Sequence, residues 1–310
     1  MKSGLRETVT VIGAIHLDIK GVSEGDLLAG TSNPGLIEVS PGGVGRNIAE
    51  NLSRLGVGVT LLGALGDDSF GRYVEELTKQ AGVDISQLQR TAKAATGVYL
   101  SLTDHEHRAF CALSDTRTAE LVTPAYIRGH ESLLAGSAFV ILDTNLPEET
   151  LEEAARIAER HGVPVVIEPV SVKKAARLKK LKITAACLTP NALEYRSLTG
   201  GDPDIHKPGA LPWVKRVYVT LGDQGVLALG HTLEENRLYA SIPTEVTDEN
   251  GAGDAFTAGL VAGLVWGYSE EKAVKTGIGA AVVTLRSPRT VSEELSMETL
   301  ERVLNKEKPV

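Results

Sequence analysis

The chain has 310 residues, 42% of them hydrophobic, which is enough to bury a large α/β core without a disulfide or metal staple. A net charge of -8 argues against nucleic acid as the main partner, since that partner calls for a basic footprint. Cys111 and Cys187 lie far apart and point to neither a disulfide framework nor a thiolate metal site. No segment supplies the roughly 20 apolar residues that span a bilayer. With no long apolar run after Lys2, Arg6 and Glu7, the expectation is a cytoplasmic protein without a membrane partner.

Residues 8–17 form an apolar, β-branched run ending at Asp18, which predicts a buried strand delivering a carboxylate from its C-terminal edge. Ser40-Pro-Gly-Gly-Val-Gly-Arg-Asn47 follows, then a helix over 48–55 closed by Gly56. Gly42 and Gly43 allow close backbone approach to a ligand, and Asn47 offers both a donor and an acceptor; a plain turn with a surface Asn47 is the alternative. Strand-like runs at 59–65, 138–142, 163–167, 185–188 and 217–221 alternate with helix-like segments at 68–81, 146–161 and 191–198. Such alternation predicts a mostly parallel sheet covered on both faces.

Two stretches interrupt the pattern. Residues 19–39, and 95–102 with 108–113, read as extended or hairpin segments, the turn at 104–107 being polar, with His105 and His107 exposed rather than metal-bound. The dense basic stretch Lys173, Lys174, Lys179, Lys180 and Lys182 reads as a solvated face. Residues 234–239 suggest a short β connection, and the tail 306–310 is expected to fray.

Near the C-terminal end, Thr247-Asp-Glu-Asn-Gly-Ala-Gly-Asp254 runs into an apolar helix over 255–264. Gly251 and Gly253 permit a sharp turn, and the unpaired N–H groups opening a helix can hold a transferring phosphoryl group. Asp254 would lie beside the acceptor, where a carboxylate takes the hydroxyl proton. The alternative is a glycine loop whose Asp caps a helix. The later helix 271–285, with Gly277, Gly279, Ala280 and Ala281, reads as close packing.

With both glycine motifs in place, the sequence resembles the ribokinase-like (PfkB) family of carbohydrate and nucleoside kinases over nearly all of its length, as one kinase domain. Asn191-Ala-Leu-Glu194 is similar to that family's N-x-x-E element, and Thr220-Leu-Gly-Asp-Gln-Gly225 to its nucleotide loop. Thr31-Ser-Asn-Pro-Gly35, residues 41–51, 96–104 and Glu168-Pro-Val-Ser171 are most similar to the pseudouridine kinases within it.

The resemblance implies a three-layer α/β/α fold with a small β-lid from about 19–39 and 95–113; strands outside the main sheet leave open edges, so the expectation is a homodimer joined through the lids. It implies ATP-dependent phosphorylation of a ribosyl 5′-hydroxyl, that of pseudouridine. A ribose, hexose or ordinary nucleoside kinase, or a silent sugar-binding regulator, are the alternatives. Asp18, Gly42, Gly43 and Asn47 would bind the sugar, with His16, Asn33, Thr96 and Asp115 as candidates for base or lid contacts. Asp254 would be the base, with Gly251, Ala252 and Gly253 as the anion hole. Asn191, Thr220, Gly222, Gly225 and Asn250 would follow ATP, and the helix 271–285 would add an adenine wall. Glu194 would reach Mg²⁺ through water, and whether Asp248 helps hold a monovalent cation stays open. Asn250 and Glu168 depart from the more usual Thr and Asp.

Overall fold

The computed structural model describes residues 7–106, 108–209 and 211–305; His107 and the tail 306–310 lie outside them. Three sheets organise these residues. The strands, in chain order, are β1 (Thr8–Ile12), β2 (His16–Ser23), β3 (Gly35–Gly42), β4 (Gly58–Leu62), β5 (Ala64–Gly66), β6 (Gln89–Thr91) and β7 (Gly97–Thr103). They continue as β8 (Ala109–Asp115), β9 (Phe139–Asp143), β10 (Val165–Glu168), β11 (Ala185–Leu188), β12 (Val214–Thr220), β13 (Val226–Leu229) and β14 (Arg237–Tyr239). Eight form the central sheet in the order β14-β13-β12-β11-β10-β9-β1-β4. Pairing is parallel from β4 to β12 and antiparallel at β13 and β14.

The parallel strands are buried on both faces, as near-continuous Val, Ile and Leu runs require. One apolar cluster joins β1, the helix Val44–Arg54 and the helices Ala252–Val265 and Glu270–Leu285; another joins the opposite face to the helix Glu148–Arg160. Between the helices Ala252–Val265 and Glu270–Leu285 the backbones approach closely. A Cβ on Gly259 would stand 2.8 Å from the Gly277 Cα, and one on Gly277 would meet Phe256. Gly279 packs likewise on Leu300 and Ala280 is buried, so the small residues of this helix serve close packing.

A second, four-stranded sheet, β3-β2-β7-β8, is the small lid of the fold. The run 8–17 is therefore not one strand. It breaks at Gly13–Ile15, and residues from His16 onward leave the central sheet to pair with β3 and β7. The break has a steric cause: a Cβ on Gly13 would lie 2.2 Å from Asp143 Oδ2, so only glycine lets this turn pack on that carboxylate. Residues 59–65 likewise split into β4 and β5, and β5 pairs with β6 in a separate two-stranded sheet. The short β segment near 234–239 is present as β14 at the edge of the central sheet. No helix among the described residues is long and apolar enough to cross a membrane.

Candidate active site

The parallel strands deliver their loops to one edge, where ligand sites of open α/β sheets lie. Helix Val44–Arg54 begins there: Gly43, with φ 103°, precedes it, and a Cβ at that position would stand 2.3 Å from the Ala14 carbonyl oxygen. This close approach places Asn47 in the first turn, pointing at the start of another helix. Asn47 Nδ2 donates to Asp254 Oδ2 at 2.9 Å, joining residues 207 apart in sequence. The two glycine motifs thus meet.

Asp254 sits in the first turn of the helix Ala252–Val265, which no side chain caps. Gly251 opens it with φ 82°, and a Cβ there would lie 1.9 Å from the Thr290 carbonyl oxygen. Gly253, by contrast, has nothing within 4 Å of a Cβ position, so space lies open at the helix start. Burial pushes the Asp254 carboxyl up to about 7, helped by the charges of Asp143, Asp18 and Glu194 and opposed by the Asn47 hydrogen bond.

Asp18 is buried, but it stands on lid strand β2 rather than at the end of the first central strand, which corrects the expected placement. Gly42 packs on it, since a Cβ there would fall 2.3 Å from Asp18 Oδ1. His16 Nδ1 lies 3.0 Å from the same oxygen, in ion-pair range but outside hydrogen-bond geometry. Glycine is thus required beside this carboxylate for space, and the strand pairing of β2 with β3 supplies the contact.

Three further candidates are engaged elsewhere. Asn33 uses its carbonyl to accept from the Leu28 N–H at 2.9 Å and its amide to donate to Leu28 and Thr31, which commits the side chain to its own loop. Thr96 is buried against Asp68, donating to Oδ1 at 2.8 Å, so it anchors the cap of the helix Ser69–Gln80. Asp115 ends β8 in an ion pair with Arg117 at 2.6 Å.

On the other side, Asn191 and Glu194 form a reciprocal capping box at the helix Ala192–Thr199, each side chain accepting from the other's backbone N–H at 2.9 Å. Glu194 is buried and burial raises its pKa. Thr220 ends β12 and bridges to Asn191; Gly222 and Gly225 turn the chain into β13 with φ 61° and 98°. Gly225 is needed for space, because a Cβ there would meet the Tyr239 carbonyl oxygen at 2.0 Å. Asp248 accepts from both the backbone and side-chain N–H groups of Asn250, at 2.9 and 2.7 Å, and pairs with Lys20 from the lid.

Two carboxylates beside these groups lay outside the predicted site. Asp143 ends β9 fully buried and accepts from the backbone N–H groups of Ala14 at 2.7 Å and Gly45 at 2.8 Å. The criterion that singles out Asp18, a buried run ending in Asp, also fits residues 138–143. Glu168, ending β10, accepts from the hydroxyls of Thr189 at 2.7 Å and Thr257 at 2.9 Å. Burial first, then the charges of Glu194 and Asp254, holds its pKa well above the usual carboxylate range. Two residues on, Val170 takes φ 67°, a left-handed conformation that a β-branched residue rarely adopts. Lys174 also departs from the solvated face expected of it: it is partly buried and donates to Asn145, beside Asp143.

A doubly covered parallel sheet, a β-lid and a carboxylate at a glycine-turn helix define a ribokinase-like kinase. The chain belongs to the pfkB family of carbohydrate kinases, which it matches over residues 6–295. It is 33% identical over 304 residues to the Escherichia coli protein named uncharacterized sugar kinase YeiI, covering 94% of this chain and 82% of that one. It is 32% identical over 301 residues to the E. coli pseudouridine kinase, covering 94% and 95%. A solved carbohydrate kinase from Agrobacterium tumefaciens superposes with a TM-score of 0.81 at 30% identity, over 96% of this chain and 97% of that one.

Proposed function

We propose that this kinase transfers the γ-phosphoryl group of ATP to the 5′-hydroxyl of pseudouridine. The Asn47–Asp254 contact carries the reading, because it puts the residues expected to hold the acceptor against the carboxylate expected to activate it. Asp254 takes the hydroxyl proton as the oxygen attacks the γ-phosphorus, the bond to the β-phosphate oxygen breaks, and ADP leaves. The uncapped helix start at Gly251-Ala252-Gly253 meets the charge that develops on the phosphoryl oxygens. Asp18 and Asn47 accept and donate hydrogen bonds to ribosyl hydroxyls, with Gly42 and Gly43 letting the backbone pack on Asp18 and Ala14 and so hold these side chains at the acceptor.

Mg²⁺ fits the acidic surroundings. No cluster of three or more donors able to hold a metal directly occurs among the described residues, so Glu194 would hold the ion through water, as Mg²⁺ favours. Bound there, the ion would neutralise charge on the ATP phosphates. Asn191, Thr220, Gly222 and Gly225 line the path proposed for the nucleotide, and Asn250 acts through Asp248.

The choice of pseudouridine is supported by the similarity to the E. coli enzyme of that name. Asn33, with its carbonyl spent on Leu28, gives no support as reader of the extra ring N–H. A panel comparing kcat/KM for pseudouridine, uridine, ribose and hexoses tests the choice; preference for any acceptor but pseudouridine defeats it while leaving the kinase intact. The lid also supports a homodimer. Leu36 (72% exposed), Ile37 and Val39 on β3, and Phe110 and Leu113 (69% exposed) on β8, give the lid edges an apolar surface that a second copy would cover.

A further inference from the structure

We propose that Arg46 is a positioning residue for phosphoryl transfer: its guanidinium determines which end of the Asn47 carboxamide faces Asp254. The inference rests on the reading of Asp254 as the base. A carboxamide has a donor end and an acceptor end, and an ionised Asp254 only accepts. Were the amide turned over, two oxygens would face each other at the reacting centre. Arg46 Nη1 lies 3.3 Å from Asn47 Oδ1. A guanidinium donates only, so this contact holds the oxygen away and leaves Nδ2 for Asp254.

Arg46 is itself held on several sides. Its Nε donates to Thr78 Oγ1 at 3.3 Å, its Nη1 also reaches the Pro41 carbonyl at 3.4 Å, and its Nη2 pairs with Glu50. Arg54 pairs with the other Glu50 oxygen at 2.6 Å, which fixes the carboxylate that fixes Arg46. Arg46, Asn47 and Glu50 are all buried, and each is at most 5% exposed. A relay therefore runs from Arg54 and Glu50 through Arg46 and Asn47 to Asp254, on one helix and across to another. Nothing in it touches Arg46 to the reacting atoms.

The test is a double-mutant cycle on the full chain, with the best acceptor from the panel. Arg46→Lys keeps the charge that Glu50 needs but loses the planar fork. Arg46, Glu50 and Arg54 also line a cleft of about 550 Å³, so water can fill the shortened side chain's place. Expected is a fall in kcat of about tenfold, with the acceptor KM within about threefold and melting near wild type. In an Asn47→Ala background the same change should cost less than about twofold, because the relay has already been cut. A folded Arg46→Lys enzyme with wild-type kcat overturns the proposal. So does an undiminished loss in the Asn47→Ala background, which is what a merely structural role predicts. If Arg46→Lys does not fold, Arg46→Met with Glu50→Met removes the buried pair together and enters the same cycle. A wild type inactive on every acceptor overturns the functional reading and this inference with it, whereas an active wild type with additive effects overturns only the inference.

Discussion

The Lys20 ammonium of lid strand β2 rests on the Asp248 carboxylate at the head of the glycine turn, tying the lid to the loop proposed to hold phosphate. Both side chains are about four-fifths buried, so the pair is screened less than a surface bridge. The ammonium also stands on the carboxylate considered for a monovalent cation. We expect Lys20→Met to loosen the lid and raise the acceptor KM several-fold. It should also make turnover more sensitive to potassium than the wild type, measured by exchanging KCl for tetramethylammonium chloride. Equal sensitivity in the two proteins would show that Lys20 does not supply this charge.

As the proposed base, Asp254 would link catalysis to stability. Burial pushes its carboxyl up to about 7 in the folded protein, well above the ordinary aspartate range. A base must be deprotonated, so kcat is expected to rise with pH through about 7 and level above it. Asp254→Asn should lower kcat at least ~10²-fold while keeping acceptor binding.

For stability the sign is opposite. A carboxyl whose folded pKa is raised favours folding most below its unfolded value, and that contribution is lost as pH rises through about 7. Asp254→Asn should therefore melt higher than wild type at pH 8, by an amount equivalent to about 2–4 kcal/mol, with the gain shrinking toward pH 4. Equal melting at pH 8 and at pH 4 would refute the buried-charge assignment.

Gly251 and Gly253 should respond differently to alanine. At Gly251 the methyl meets the Thr290 carbonyl and the backbone has φ 82°, so Gly251→Ala should lose about 2 kcal/mol or more of stability. At Gly253 nothing lies within 4 Å and alanine is a good helix former. Gly253→Ala should keep its melting temperature yet lose turnover, because the methyl enters the space proposed for the phosphoryl group. Urea melts with a turnover assay distinguish the two, and a fully active Gly253→Ala enzyme would move the anion hole elsewhere.

The apolar lid edges should hold two copies together. Sedimentation at micromolar concentration is expected to give a dimer, and Leu36→Glu with Leu113→Glu should give a monomer with the fold intact. A monomeric wild type would leave those edges without the partner proposed for them.

The alternation of apolar runs with helical periodicity sufficed to read the central sheet from sequence, because a strand buried on both faces must be apolar throughout, as β9 and β10 are. The two glycine motifs were legible for the same local reason: a turn that forbids a Cβ, as at Gly43 and Gly251, leaves glycine as its mark. Partner choice was not legible. Whether Asp18 belongs to the first central strand or to the lid depends on Gly13 packing against Asp143, which lies 130 residues away in the chain. Asn33 and Thr96 resembled ligand residues by type, yet Leu28 and Asp68 claim their polar atoms. The raised pKa of Asp254, its contact with Asn47 and the Lys20–Asp248 tie come from burial and from charges on separate elements, and only the tertiary structure brings those together.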